Sequence, residues 1–461
     1  MFSLRHLEAL GHAPAVHDDA AGWVAHAELA RRADEAVAAL PARSLVALVF
    51  TPTLEAVAVY LGALRHGHVP VLFDEGMAPA LRDRLLAPFG VRWLFEQGRW
   101  TSRPNTGHAP ALHPDLALLM GTSGSTGMPK LVRLSHGALQ ANAEAIVRAL
   151  ALGPQDRAIT SLPLHYAYGL SVLNSHFVAG AAVVLSALPP TRQDFWATMR
   201  RHQVTGLAGV PTTWRTLLRL GLQDIELPDL RHTSQAGGRL DVDEVRHLLG
   251  LAQARGWRHH SMYGQTEATA RIAVLPPDRA AAKPGCIGVA VPGTELLLRD
   301  PQGGLVQQHG VEAELVCRGP HLMMGYATEA AHLAGGPGLS ELRTGDLAWR
   351  DADGDYWISG RLGRFLKLQG RRTSLDDVEQ LLRQQGLEAA ALGEDEQLRI
   401  VVEEPTRPAD ALRREVASLL RVHASLVAVR TVAALPRTPA GKTNQVELQR
   451  LWESPTKELA S

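Results

Sequence analysis

Ten residues, Gly121 to Lys130, read GTSGSTGMPK and form the stretch of this chain densest in hydroxyls and glycine. Thr122, Ser123, Ser125 and Thr126 offer hydroxyl groups, while Gly121, Gly124 and Gly127 let the backbone turn tightly enough to aim amides inward. Lys130 adds a mobile positive charge, and Pro129 fixes the backbone just before it. Together these groups suit a polyphosphate. The loop is not of the Walker A type, which needs Gly-Lys-Ser/Thr at the start of a helix; here Pro129 precedes the lysine and Leu131 follows it. A flexible surface loop could share this composition, but the order argues for a built unit. The apolar run LALLM leads in, Pro-Lys closes the loop, and LVRLSHGAL follows with Ser135 placed to cap a helix.

The stretch LMGTSGSTGMPKLVRLSHGAL resembles the phosphate loop of the adenylate-forming superfamily, which includes acyl-CoA synthetases, peptide-synthetase adenylation domains and luciferases. The later segments YGQTEAT, RTGDLAWRDADGDYWISGR and PRTPAGKTNQVEL resemble the superfamily's other motifs in the same order, so the likeness spans nearly the whole chain. It implies catalytic roles for Lys442, Thr122, Glu267 and His165. It also implies nucleotide contacts from Thr122, Ser123, Gly124, Ser125, Thr126, Gly127, Lys130, Gln235, Ala236, Gly237, Tyr263, Gly264, Thr266, Asp346 and Arg361. Each residue type suits its implied part. Tyr263 offers a flat face to adenine, Asp346 can accept two hydrogen bonds from a ribose diol, and Arg361 can reach ribose or phosphate. Glu267 is a hard oxygen donor for magnesium, and Lys442 is a cation for the carboxylate oxygen and the α-phosphate.

By the same resemblance, Pro163 to Gly169, with the rings of His165, Tyr166 and Tyr168, line the acyl pocket, and Val210 and Pro211 lie on its acyl side. Amino-acid-activating relatives usually place an aspartate in the first of these segments. None stands here, so an uncharged acyl or aryl acid is expected rather than an amino acid. The implied reaction is ATP-dependent conversion of a small carboxylic acid to an acyl-adenylate with release of pyrophosphate, assisted by magnesium. Capture of the acyl group by coenzyme A or by a carrier-protein phosphopantetheine follows, with Gly370 near the thiol tunnel. Two departures keep alternatives open: Arg239 stands where relatives often carry an acid, and Gly363 where they carry an Asp or Lys at the pivot. A nucleotide-binding protein without catalysis, or an adenylating enzyme with a non-thiol acceptor, would fit those departures.

The elements that must position these groups are α/β in class. Residues 1 to 110 alternate helical and strand-like runs (VAHAELARRADEAVAAL, SLVALVF, LEAVAVYLGALRHG, VPVLF), which predicts parallel strands with crossover helices in a compact first subdomain. Phe177 to Leu188, FVAGAAVVLSAL, is the longest apolar stretch; it is too short for a bilayer and reads as a buried strand. Lys283 to Tyr326, broken by Pro-Gly and Gly-Gly, predicts a small antiparallel β subdomain. The overall expectation is a large N-terminal region of α/β layers plus that small β subdomain over residues 1–360, and a small mobile α/β domain over 361–461.

Composition sets the remaining bounds. The 461 residues exceed one usual core. Lys plus Arg and Asp plus Glu both number 47, so no general attraction to nucleic acid or acidic membranes is expected and any anion must be held locally. Cys286 and Cys317 have no partner at zinc-ligand spacing and read as buried thiols, and the pair His259 and His260 reads as structural. The charged N-terminal stretch lacks the apolar core of a signal peptide, which points to the cytoplasm.

Overall fold

The structure is a computed structural model that describes residues 6–103, 110–121, 130–368, 371–394, 396–403, 408–420, 422–438 and 441–453. Strands Leu45–Val49 and Val69–Phe73 are buried at every position, as parallel strands covered on both faces must be. They pair in parallel, flanked by Trp93–Glu96 and Leu116–Gly121, within a seven-stranded sheet. Helices His26–Val37 and Leu54–Arg65 pack closely because Gly62 has no side chain: a Cβ there would lie 2.0 Å from the Ala33 carbonyl oxygen. Leu116–Gly121 returns as antiparallel Leu131–Ser135, so the hydroxyl-rich loop joins the two strands of a hairpin. The Ser135 hydroxyl then accepts from the Ala138 amide at 3.0 Å and caps helix His136–Leu150, as its position in the sequence predicts.

A second, nine-stranded sheet carries the other wall. Its strands Arg157–Ile159, Gly206–Gly209, His232–Gln235 and Arg258–Tyr263 run parallel, so their carboxyl ends share one edge. Ligands bind in open α/β sheets at such an edge. The segments that follow these strands begin at Thr160, Val210, Ala236 and Gly264, which places the Pro163–Gly169, Val210–Pro211, Gln235–Gly238 and YGQTEAT segments side by side.

Three local expectations are corrected. Strands Pro14–Asp18 and Gly22–Ala25 join the nine-stranded sheet beside Ala182–Val184, so the first 110 residues do not close into a subdomain of their own. Buried Ala15 and Val16 complete a sheet built mostly from later chain, a pairing that local periodicity cannot express. The apolar run from Phe177 is the end of helix Ala167–Val178, a turn at left-handed Gly180 (φ +68°), and only the short strand Ala182–Val184. Helix and strand interiors look alike in an apolar run, and the glycine makes the break.

The small antiparallel sheet consists of Glu295–Arg299, Ala313–Arg318, Leu342–Arg350 and Tyr356–Arg361, but Val289–Ala290 and Gly325–Ala327 leave it for the two large sheets. Buried Arg133 draws the second of these away, donating to the carbonyls of Met324 (2.7 Å) and Gly335. Both cysteines are free and buried, and burial pushes each thiol up to about 12.

From Leu366 onward a separate apolar core forms around Val378, Leu382, Ile400, Val402 and Val416. It is built by helices Leu375–Gln384 and Ala409–Leu420 on the strands Ala389–Glu394, Gln397–Glu403 and Val427–Val432. The join is short. The Leu362 amide still donates to Gly345 of the small sheet (2.7 Å), whereas the Arg364 guanidinium already binds Asp376 (2.5 Å) and Glu379 (2.7 Å) in the C-terminal unit. Gly363 alone lies between, at φ +79°.

Candidate active site

The ribose-side residues of the sequence reading meet on a frame of antiparallel strands. Asp346 and Arg361 are register partners on Leu342–Arg350 and Tyr356–Arg361, and Arg361 Nε lies 3.4 Å from an Asp346 carboxylate oxygen. Tyr263, at the carboxyl end of its parallel strand, donates its hydroxyl to the other Asp346 oxygen at 2.5 Å. Burial pushes the Asp346 carboxyl above its ordinary range, against the opposing pull of Tyr263, Arg361 and Lys442. The same burial, joined by the charge of Asp346, drives the Tyr263 phenol well up and keeps it a donor.

Glu267 stands on the single turn Thr266–Ala268 beyond that strand. Two features hold this turn. Gly264 allows the chain to double back, since a Cβ there would come 1.7 Å from the Ala270 carbonyl oxygen. Thr269 takes φ +63°, a strained setting for a β-branched residue, and its hydroxyl is tied to the His321 carbonyl at 2.8 Å. One Glu267 oxygen accepts from the Tyr326 hydroxyl at 2.8 Å, and Lys130 Nζ lies 5.4 Å from the centre of the Tyr326 ring. Tyr326 thus bridges the base of the hydroxyl-rich loop and the carboxylate. The sequence reading missed it, because Tyr326 reaches this place only when Gly325–Ala327 pairs with Leu131–Ser135.

Lys442 arrives from the C-terminal unit on a tight turn, in which the Thr438 amide donates to its carbonyl (2.7 Å) and its own amide donates to the Thr438 hydroxyl (3.2 Å). The residue is exposed in part, yet desolvation by the surrounding protein presses its pKa below the ordinary lysine range. Arg361 pushes the same way, while Asp346 and Glu267 oppose. The neighbouring Gly441 (φ +75°) seats against the other unit, where a Cβ would come 2.9 Å from the Thr212 hydroxyl. Further contacts join the units: Arg239 to Asp377 at 3.6 Å, Arg215 to Glu388 at 3.8 Å, and Gln380 and Gln384 each to Asp241 at 3.4 Å. Arg239, unusual in the sequence, is therefore part of the junction.

On the acyl side, Gly169 lets the chain turn against Pro163, whose carbonyl a Cβ would meet at 2.2 Å. Tyr166 brings its hydroxyl to the backbone of Gly237, where a Cβ would lie 2.6 Å from it; that glycine also has φ +88°. Gln235 closes the same turn by donating to the Gly238 carbonyl at 2.7 Å, and Ala236 is buried beside it. His165 is half-buried. Burial lowers its pKa, the charge of Asp74 opposes, and among the described residues no hydrogen bond ties it to the other predicted ones. Thr266 begins the Glu267 turn. Thr122, Ser123, Gly124, Ser125, Thr126, Gly127 and Gly370 lie outside the described residues. His259 and His260 are buried in the sheet, with His259 bonded to Thr233 at 2.9 Å, which fits their structural reading.

Residues 100–327 match the family described as AMP-binding enzyme. The chain is 33% identical over 370 residues to a sulfoacetate–CoA ligase of Cupriavidus necator, spanning 74% of this chain and 68% of that one. It is 32% identical over 366 residues to an L-proline–[L-prolyl-carrier protein] ligase of Pseudomonas fluorescens, spanning 74% and 70%. Its fold matches that of an o-succinylbenzoate coenzyme A synthetase from Bacillus subtilis, solved with ATP and magnesium, with a TM-score of 0.81 at 22% identity over 97% and 98% of the two chains. With two relatives above 30% identity matched over more than two thirds of their length, the chain belongs to the adenylate-forming superfamily of AMP-binding enzymes.

Proposed function

We propose that this chain activates a carboxylic acid with ATP, forming an acyl-adenylate and pyrophosphate, and then passes the acyl group to a thiol. One observation carries the reading: Asp346 and Glu267 of the large unit lie close enough to Lys442 of the small unit to act on its charge, and Arg361, at the boundary, sits 3.4 Å from Asp346. In-line attack of a carboxylate on the α-phosphorus needs positioning and charge screening rather than a protein nucleophile. Asp346 holds the ribose diol, Tyr263 stacks on adenine while fixing Asp346, and Arg361 steadies the ribose or phosphate edge. Thr122 to Lys130 cradle the phosphates. Lys442 draws the carboxylate oxygen and the α-phosphate together as negative charge gathers between them. His165 lines the acid's side of the cleft.

Magnesium fits Glu267, a half-buried carboxylate with one oxygen held by Tyr326 and the other accepting nothing among the described residues. Bound there, the ion would screen triphosphate oxygens. We divide the chain into a nucleotide-binding unit, 1–360, and a mobile unit, 361–461, with Gly363 as the pivot. The thiol is that of coenzyme A or of a carrier protein, the two acceptor types named for the relatives. No described helix is long and apolar enough to cross a membrane. Because the reaction consumes ATP and a thiol, we assign the work to the cytoplasm.

ATP–pyrophosphate exchange over a panel of acids, followed by thioester detection with coenzyme A and with a carrier protein, tests the reading. Exchange with at least one acid is expected. Nucleotide binding without exchange across the panel would instead favour a protein that has lost catalysis, and adenylate without thioester would favour a non-thiol acceptor.

A further inference from the structure

Arg271 is a buried charge packed on Tyr168 of the Pro163–Gly169 segment. It follows the Glu267 turn and is 3% exposed. Its guanidinium carbon lies 3.9 Å from the Tyr168 ring centre, and its Nε lies 3.2 Å from Met262 sulfur. The backbone is clamped on both sides by Asn142, which accepts from the Arg271 amide at 3.2 Å and donates to its carbonyl at 2.8 Å. No carboxylate among the described residues pairs with it; Tyr168 and Tyr166 act on it, and burial pushes both phenols up, so they stay neutral. A ring face and a thioether are weak partners for a guanidinium, and a buried charge without a counter-ion is costly.

The chain compensates its other buried arginines. Arg82 meets Glu96 at 2.6 Å, Arg215 meets Glu244 at 2.8 Å, and Arg133 spends its donors on two backbone carbonyls. Arg271 alone of these four faces the aromatic pair whose outer member, Tyr166, touches Gly237 beside Val210. A guanidinium cannot shed its charge to relieve the cost. What is missing is an anion, and Tyr166 and Tyr168 belong to the Pro163–Gly169 segment expected to line the acid's side of the site.

We propose that Arg271 is the counter-ion for a second acidic group of the substrate, so that the acid activated here carries, remote from the reacting carboxylate, another carboxylate or sulfonate. This rests on the activation reading above and revises the expectation of an uncharged acid. Arginine suits the part because its planar fork meets an oxyanion with two parallel hydrogen bonds. The Asn142 clamp and the Tyr168 face hold that fork in place before the acid arrives.

Calorimetric binding to the full chain tests the pairing independently of turnover, using malonate, succinate, glutarate and isophthalate, each beside its monomethyl ester. Wild type is expected to bind at least one diacid tenfold or more tighter than its ester. Arg271→Gln should erase that preference while ester binding changes less than twofold, and Arg271→Lys should restore part of it. Equal binding of every diacid and its ester by wild type, or failure of all the diacids to bind, would overturn the assignment without recourse to a variant. So would an equal loss of diacid and ester binding in Arg271→Gln. Pyrophosphate exchange on the same preparations separates the two readings. Diacid preference without exchange upholds Arg271 and removes activation, whereas exchange confined to monoacids upholds activation and removes Arg271.

Discussion

The two faces of the cleft are built on opposite physical terms. On the large unit, Tyr263, Asp346, Glu267 and Tyr326 are locked by hydrogen bonds of 2.5 to 2.8 Å on strands and a strained turn, with burial raising the Asp346 carboxyl. On the small unit, Lys442 rides an open turn, and the junction around it is mostly long, exposed polar contact: Arg239 and Asp377 are 3.6 Å apart with 47% and 63% of their side-chain surfaces exposed. Exposed pairs of this kind contribute about 0–1 kcal/mol each. One face is fixed in advance, and the other is held by weak contacts, in keeping with the mobility proposed for the small unit. An enzyme with two half-reactions benefits from that difference, since the same nucleotide site can be served by two orientations of the small unit.

Acid should distinguish the units most strongly. His136, His176, His259, His260 and His321 all belong to the large unit, and burial lowers each to about 3 or 4, so the fold holds them neutral. The unfolded chain binds more protons between those values and the ordinary one near 6.5, so the stability they contribute is full above about pH 6.5 and is lost as pH falls toward 4. Each is worth on the order of 2 kcal/mol between about pH 7 and pH 5. Calorimetric scans should show the large unit's transition dropping steeply over that range while the small unit's moves little; parallel shifts would erase the contrast.

Next in size is Lys442→Ala, expected to slow adenylate formation roughly a hundredfold or more while ATP binding weakens little. Single-turnover formation of the adenylate measures it, and a normal rate would leave the loose face with no chemical part. Because its surroundings lower the Lys442 pKa, wild-type adenylation should also decline on the alkaline side at a lower pH than an ordinary lysine would give.

The pivot should respond more modestly. Gly363 takes φ +79° between the two units, with open space around a would-be Cβ, so substitution acts through the backbone alone. Proline, confined near φ −65°, cannot keep this φ, and alanine in the left-handed region costs about 1–2 kcal/mol. Gly363→Ala should lower pyrophosphate exchange roughly tenfold, and Gly363→Pro should lower it further with thioester formation from preformed adenylate spared. Equal loss in both half-reactions would point to damage to the fold.

On the fixed face, Glu267→Gln should raise the magnesium needed for half-maximal exchange severalfold with the fold intact, because an amide supplies oxygen without charge. An unchanged magnesium dependence would put the metal elsewhere. The smallest effect belongs to the junction: Arg239→Ala should change exchange by less than about fivefold, as an exposed pair contributes about 0–1 kcal/mol.

Much of this molecule is written locally. The Ser135 cap, the fully apolar runs Leu45–Val49 and Val69–Phe73, and the helix and strand order after Gly370 follow from caps, periodicity and turn residues within a few positions of each other. The motifs likewise point to the proposed nucleotide site and to the family, because each holds its chemistry in one short segment. What the sequence left undecided are pairings between distant segments. Pro14–Asp18 joins a sheet completed by Ala182–Val184, and Gly325–Ala327 leaves its neighbours to bring Tyr326 within 2.8 Å of Glu267. Arg271 lies just past the YGQTEAT segment, and only its burial against Tyr168 shows that no carboxylate among the described residues pairs with it. The local code fixes what a segment can form, because caps, turns and periodicities act within a few residues. Which edge a strand completes, and whether a buried charge finds a partner, depend on desolvation and close packing between residues far apart in the chain, and these exist only in the tertiary structure.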